Sequence, residues 1–173
     1  MNLSIQPAPA DQLPAMYGVM ALAGEHMHRV LGLSHWHPFP ASDWFIKHSE
    51  GKDVFGVYDD TVLMGTFNIS TQPESYYRDD MSAFWRYPDQ PALYFSAFAL
   101  LPSYQQQGAG SWCMAQVDRM AQERGHTQLR FDAVSNHAKL LAFYERNGYE
   151  PRGVLDLGKV GVMCFEKQYD ESS

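Results

Sequence analysis

Six residues, Gln105-Gln106-Gln107-Gly108-Ala109-Gly110, are where residue type and order first point to chemistry. They follow an apolar run over residues 93–101, closed by Pro102, and they precede a stretch of helical period. A strand feeding a glycine loop and then a helix start offers an anion unpaired backbone N–H groups and a partial positive charge. Glycines at 108 and 110 let that backbone approach without a Cβ in the way. The loop has no Lys-Ser/Thr pair, so it is not the ATPase P-loop. It lacks GxGxxG, which disfavours a dinucleotide site. A pyrophosphate here is expected to be held by amides, without obligatory magnesium. A plain tight turn between strand and helix uses the same glycines.

Other reactive residue types carry less. His26/His28 and His35/His37 are His-x-His pairs. Residues two apart do not share a helix face, and no Cys or carboxylate set is spaced with them, so no metal is expected. Cys113 falls on an apolar helical stripe and reads as packing, because no histidine is placed beside it to activate a thiolate.

The elements that must position the loop follow from periodicity. Residues 3–7 alternate and end in proline, which suits a strand. Over residues 10–31, Leu13, Met16, Met20, Ala23, Met27 and Leu31 recur at steps of three and four, a stripe expected to face a core. Gly32 ends it. Ser42 is placed to cap a short helix running to about residue 48. Residues 54–58 and 62–69 read as a hairpin turning at Asp59-Asp60. Residues 71–91 are long, polar and aromatic, and a loop of that length in a compact domain is usually functional. Residues 110–124 are helical with Gly125 as stop. In residues 127–134, Leu129, Phe131 and Ala133 alternate with Arg130 and Asp132, a strand. Residues 137–147 form a helix followed by Gly148, and 149–155 and 160–167 close the chain as strands. The order β-α-α-β-β-β-α-β-α-β-β predicts a mixed α/β fold with one sheet.

Composition narrows the function. The chain has 173 residues, 13 Lys plus Arg against 20 Asp plus Glu, and a net charge of −7. The hydrophobic share of 45% and charged share of 19% are ordinary for a globular chain, and the length suits one domain. The acidic balance, with no run of basic residues, argues against a nucleic-acid partner. Two cysteines make no disulfide framework and read as the reduced thiols of a cytoplasmic protein. The first ten residues lack signal-peptide features. No apolar run approaches the roughly 20 residues of a membrane helix.

The segment Leu100-Leu101-Pro102-Ser103-Tyr104-Gln105-Gln106-Gln107-Gly108-Ala109-Gly110 resembles the acyl-CoA loop of the GNAT superfamily of N-acyltransferases, of form Arg/Gln-x-x-Gly-x-Gly/Ala. Downstream, Leu129-Arg130-Phe131-Asp132, then Asn136 and the run Phe143-Tyr144-Glu145 ahead of Gly148-Tyr149, resemble that family's second motif. The pair covers about residues 93–150. The resemblance implies a mostly antiparallel central sheet flanked by helices, in a single domain over residues 1–173. It implies acetyl-CoA as co-substrate. Backbone of Phe98 and Leu100 would bind the pantetheine arm, and Gln105 and the amides of Gln107, Gly108, Ala109, Gly110 and Ser111 would hold the pyrophosphate. Asn136 would bond the cofactor's amide-rich arm, or alternatively cap the helix that follows. Tyr144 would also touch the cofactor and give a proton to the departing thiolate, which a phenol of pKa about 10 suits. Its alternative is a core aromatic beside Phe143.

Many relatives place a glutamate on the strand matching residues 93–101 as general base. Here that strand has no carboxylate, and Tyr94 takes the matching position. Ser96 or Tyr94 through water, or Glu25 and His28, are the alternatives. Trp36, Phe39, Tyr76, Tyr77, Phe84 and Trp85 fall in the two loops that border the acceptor cleft in this fold. Trp36, Tyr76, Tyr77, Tyr94 and Ser96 are therefore the candidate acceptor-binding residues, with roofing of the core as the competing role. The expected activity is transfer of an acetyl group to a primary amine of a small molecule or peptide by direct attack, in a cytoplasmic protein with no metal, membrane or nucleic-acid partner, possible as a homodimer. The second reading is an acyl-CoA-binding sensor with little catalysis.

Overall fold

The computed structural model describes residues 1–170, so the last three residues of the domain expected over 1–173 lie outside the described residues. The chain runs β1 (Leu3–Pro7), α1 (Leu13–Leu31), α2 (Ser42–Ser49), β2 (Asp53–Asp59), β3 (Val62–Ser70), β4 (Leu93–Leu100), α3 (Ala109–Glu123), β5 (Gln128–Val134), α4 (Ala138–Arg146), β6 (Glu150–Asp156) and β7 (Gly161–Gln168). This is the expected order. Seven strands form one sheet in the order β1-β2-β3-β4-β5-β7-β6. The pairings β1–β2, β2–β3, β5–β7 and β6–β7 are antiparallel, and β4–β5 is parallel. The fold class is therefore α/β with a mostly antiparallel sheet flanked by helices.

The chain divides into two compact units whose boundaries fall inside β4 and at the start of α3. The first holds residues 1–70 and 96–110, the second residues 71–95 and those from 111 onward. In the first, Met16, Val19, Met20 and Ala23 of α1 pack with Phe45, Val54 and Ala99. Burial along α1 ends at Gly24. Leu31, expected on the buried stripe, is 46% exposed, because the helix runs two turns past the core it covers. Gly24 is needed for close approach: a Cβ there would collide with the Trp36 carbonyl oxygen. Gly32 closes α1 in the left-handed region, with its N–H on the His28 carbonyl at 3.1 Å. The cap of α2 differs from expectation. Ser42 is the first helical residue, Ala41 holds the cap position, and no side chain caps it. Asp43 in the first turn supplies the favourable charge instead.

The second unit is built around Phe131 of β5. Its ring meets Tyr144 at 4.7 Å, Tyr149 at 5.0 Å, Phe165 at 5.4 Å and Phe95 at 5.6 Å between centroids. Arg130 lies on the polar side of the alternation in β5, yet it is only 2% exposed. Its Nε donates to Glu166 Oε2 at 2.8 Å and its second guanidinium nitrogen to the Tyr87 carbonyl at 2.8 Å and Gln128 Oε1 at 2.7 Å. Trp85 covers the guanidinium at 5.0 Å, and the Arg86 N–H donates to Glu166 Oε1. So both faces of β5 are covered, one by the Phe131 cluster and the other by residues 85–87. A short pattern of alternating types cannot distinguish a solvated polar face from one whose charges are buried and paired.

Candidate active site

The loop between β4 and α3 is shaped from within. Pro102–Tyr104 makes one 3-10 turn after β4. Gln105 donates its side-chain amide to the Leu100 carbonyl at 3.1 Å and its backbone N–H to the Pro102 carbonyl. Gln107 donates its side chain to the Ser103 carbonyl. Both glutamines thus brace the loop through their side chains. Gln106 and Gly108 have φ of +60° and +83°. Positive φ at alternate residues turns successive backbone N–H groups toward one side, a shape that suits an anion. Ala109 opens α3 and is fully buried, with Gly110 and Ser111 following in its first turn. The first-turn N–H groups of a helix have no intrahelical acceptors, so they are donors for a ligand. Upstream, Ala97 in the middle of β4 has φ +54°. A non-glycine residue held there costs about 1–3 kcal/mol and persists where function requires the bend. Phe98, half-buried, and Leu100, buried, follow it.

Tyr144 of α4 is 5% exposed and lies against Phe131, Phe143, Tyr149 and Phe165. Burial first, and then the Asp132 charge, raise its pKa above the ordinary phenol value, so it stays protonated and can only donate. Asn136 is exposed and does not cap α4. His137 holds the cap position, with no side-chain cap bond, and its carbonyl accepts from the N–H groups of Leu140 and Leu141. The capping alternative for Asn136 is thereby removed.

The acceptor candidates of the second unit converge. Tyr76 and Tyr77 both donate their hydroxyls to Asp132 Oδ2 at 2.7 Å. Tyr77 lies 6.2 Å from the Tyr94 ring, and Arg130 donates to the Tyr94 hydroxyl at 3.3 Å. Burial and then the Asp132 charge push both tyrosine pKa values upward. Asp132 escaped the sequence reading because it sat on the polar side of an alternating strand. The detectable signal was an arginine and an aspartate two residues apart in the strand most crowded by apolar neighbours. Trp36 and Ser96 belong to the first unit. Trp36 packs at the edge of the α1 core with Phe39 at 6.0 Å.

The remaining candidates are occupied in other ways. Glu25 pairs with His37 at 3.2 Å, and the His28 and His37 rings stack at 3.9 Å. Among the described residues no group of three side chains could hold a metal ion. Cys113 is fully buried in the packing, and that burial pushes its thiol up to about 12, away from nucleophilic chemistry. Cys164, opposite Asp132 on β7, is also pushed up to about 12, by burial and then by Asp132. No helix among the described residues is long and apolar enough to cross a membrane.

Comparison with known proteins agrees with this fold. The GNAT family acetyltransferase from Elizabethkingia anophelis, with acetyl-CoA bound, superposes with TM-score 0.67 over 96% of this chain and 98% of its own, at 13% identity. The ribosomal-protein-S18-alanine N-acetyltransferase from Escherichia coli gives TM-score 0.69 over 99% and 96%, at 16% identity. A spermidine N-acetyltransferase chimera from Vibrio cholerae and hSSAT gives 0.65 over 97% and 96%, at 13% identity. At these identities the likeness is one of fold. No curated protein matches the sequence. The model of the acetyltransferase (GNAT) family matches residues 22–149, a span that holds the braced glycine loop, Asp132 and Tyr144. The chain belongs to the acetyltransferase (GNAT) family and is an acyltransferase.

Proposed function

We propose that this protein transfers an acetyl group from acetyl-CoA to a primary amine by direct attack within a ternary complex. The observation that carries this is the Gln105–Ser111 backbone. A loop braced by Gln105 and Gln107, with positive φ at Gln106 and Gly108, runs into the N-terminus of α3. Amides of Gln107, Gly108, Ala109, Gly110 and Ser111 hold the pyrophosphate. Backbone groups of Phe98 and Leu100 hold the pantetheine arm, although the Leu100 carbonyl also accepts from Gln105. Asn136, exposed and not serving as a cap, contacts the same arm. The buried cysteines offer no competing nucleophile, which favours direct attack over an acyl-enzyme. Tyr144, kept protonated by its burial, gives its proton to the departing thiolate. Solved neighbours of this fold are named for an alanine of ribosomal protein S18 and for spermidine, which supports a small-molecule or peptide amine as acceptor.

The test is release of CoA thiol from acetyl-CoA with spermidine, lysine and an alanine-initiated peptide as acceptors. Release that depends on an amine is expected. Tight acetyl-CoA binding with release no faster than in the amine-free control would support the sensor reading instead. Tyr144→Phe is expected to lower kcat about 10- to 1,000-fold with little change in acetyl-CoA affinity, as for loss of a general acid. An unchanged kcat, with chemistry rate-limiting, returns Tyr144 to packing alone.

A further inference from the structure

We propose that Asn68 of β3 binds the acceptor: its side-chain carboxamide pairs with an amide of the substrate, so the amine acetylated here is one with an amide beside it, as at a peptide N-terminus. This rests on the transferase reading above and narrows its acceptor. Three observations lead to it.

The first is an unmet pair of hydrogen-bonding atoms. Asn68 is 0% exposed, and neither its Nδ2 nor its Oδ1 has a hydrogen-bond partner among the described residues. Other buried polar side chains are bonded. Ser49 donates to the Phe45 carbonyl, Gln128 donates to Gln90, and Arg130 donates to Glu166. Thr66, on the same face of β3 as Asn68, donates to the Phe55 carbonyl at 2.9 Å. A buried carboxamide without partners is costly, and an exception of this kind in a chain that pairs its other buried groups points to a ligand.

The second is position. Val54 lies opposite Asn68 in the β2–β3 register and packs with Met16, Val19 and Met20 of α1, so Asn68 faces the α1 side of the sheet. β3 neighbours β4, and the Leu101 N–H just past the end of β4 donates to the Met64 carbonyl near the start of β3 at 2.8 Å. The start of one strand therefore lies beside the end of the other, and the two run antiparallel. The same step along each strand, from Met64 to Asn68 and from Leu101 back to Ala97, brings Asn68 level with the bend at Ala97. All these residues belong to the first compact unit.

The third is access. β4 is the fourth of seven strands, yet Ser96, Ala97 and Phe98 are only half-buried. In the transferase reading, backbone of Phe98 and Leu100 holds the pantetheine arm, so the acyl end comes to lie near Ala97. Ala97 and Ala99 pack on the α1 cluster that Val54 joins, and both are small. The acceptor reaches the carboxamide by a slight parting of side chains there.

Chemistry selects the class. Nδ2 only donates and Oδ1 only accepts. An ammonium group or a polyamine offers donors alone and leaves Nδ2 unmet. An ester or a carboxylate offers acceptors alone and leaves Oδ1 unmet. An amide meets both atoms in a two-point pairing.

The test uses alaninamide and 2-aminopropane, which differ only in a carboxamide for a methyl group. CoA-thiol release gives kcat/KM for each amine with wild-type and Asn68→Leu protein. The ratio of the two constants is read, because the amines' unequal basicity then cancels between proteins. Asn68→Leu is expected to lower the ratio of alaninamide to 2-aminopropane about 10- to 100-fold, as for loss of a hydrogen-bonded recognition group. Its Tm is expected to hold, since leucine replaces an unmet polar group with an apolar one of similar size. An unchanged ratio in the folded variant overturns the proposal and leaves Asn68 a purely internal residue. Should Asn68→Leu not fold, Asn68→Ala is read in the same way. If wild-type acetylates spermidine but not alaninamide, this proposal fails and the transferase reading stands. If wild-type releases no CoA with any amine, the transferase reading itself fails.

Discussion

Asp118 on α3 and Asp132 on β5 each accept hydrogen bonds from two tyrosine hydroxyls, yet the two clusters hold different parts of the chain. Asp118 takes Tyr149 at 2.6 Å, Tyr169 at 2.5 Å and the Lys167 ammonium at 2.6 Å. Lys167 also reaches the Asn147 carbonyl and lies over the Tyr149 ring at 4.8 Å. Every partner belongs to the closing part of the chain, so Asp118 ties α3 to the end of α4 and to the C-terminal strand. Its charge is met by a cation of the protein itself. Asp132 takes neighbouring tyrosines from the aperiodic loop, both on one oxygen. Tyrosine–carboxylate hydrogen bonds thus fasten the closing part of the chain to α3 in one place and the loop over residues 71–91 to β5 in the other.

The largest effect that sharpens this contrast is expected at Asp118. Asp118→Asn removes the anion from Lys167 and weakens two charge-assisted hydrogen bonds, each worth about 1.5–3 kcal/mol. Partial exposure of Lys167 and Asp118 moderates the loss. For a chain of this size about 2–4 °C is lost per kcal/mol. A fall in Tm of roughly 5–10 °C, with amine kcat/KM unchanged, is expected from melts run beside kinetics. Loss of activity at full stability would collapse the distinction between the two aspartates.

A smaller effect separates the tyrosines. Tyr149→Phe deletes one charge-assisted bond and should lower stability by about 1–2 kcal/mol, leaving amine KM alone. Tyr76→Phe removes a bond at a partly exposed position, so Tm should hardly move while amine KM rises several-fold. Paired denaturant titrations and two-substrate kinetics read both variants, and identical behaviour of the two would break the comparison.

The smallest effect is read at the thiols. Burial alone raises Cys113, whereas Cys164 is raised by burial and by Asp132. Thiols pushed above their ordinary value stay neutral through ordinary working pH, so native protein should resist a thiol reagent at pH 8. Their contribution to stability is full below the unfolded thiol value and is lost as pH climbs toward about 12. Asp132→Asn should lower the pH at which Cys164 begins to react and leave Cys113 unmoved. An equal shift at both thiols would place the Asp132 charge elsewhere.

Much of this architecture can be read without coordinates. Periodicity locates α1, the hairpin β2–β3 and α3, because helices and strands have distinct repeats that one face of burial imposes on the chain. The glycine loop and the Phe143-Tyr144-Glu145 run identify the family because backbone approach to an anion and a buried phenol each need particular residue types at short spacing. The boundary errors are equally local. Ser42 is a good cap by type, but the helix begins at it, with Ala41 in the cap position.

What the sequence determined by itself is therefore the order of elements, the family and the glycine loop, all written in residues close together along the chain. Tertiary structure alone decided that Arg130 is buried and paired with Glu166, that Tyr76 and Tyr77 meet Asp132, and that Asp118 is closed by Lys167. These contacts join residues from 36 to 56 positions apart. Local pattern carries no record of such pairings, because the cost of burying a charge depends on which partner the fold delivers to it.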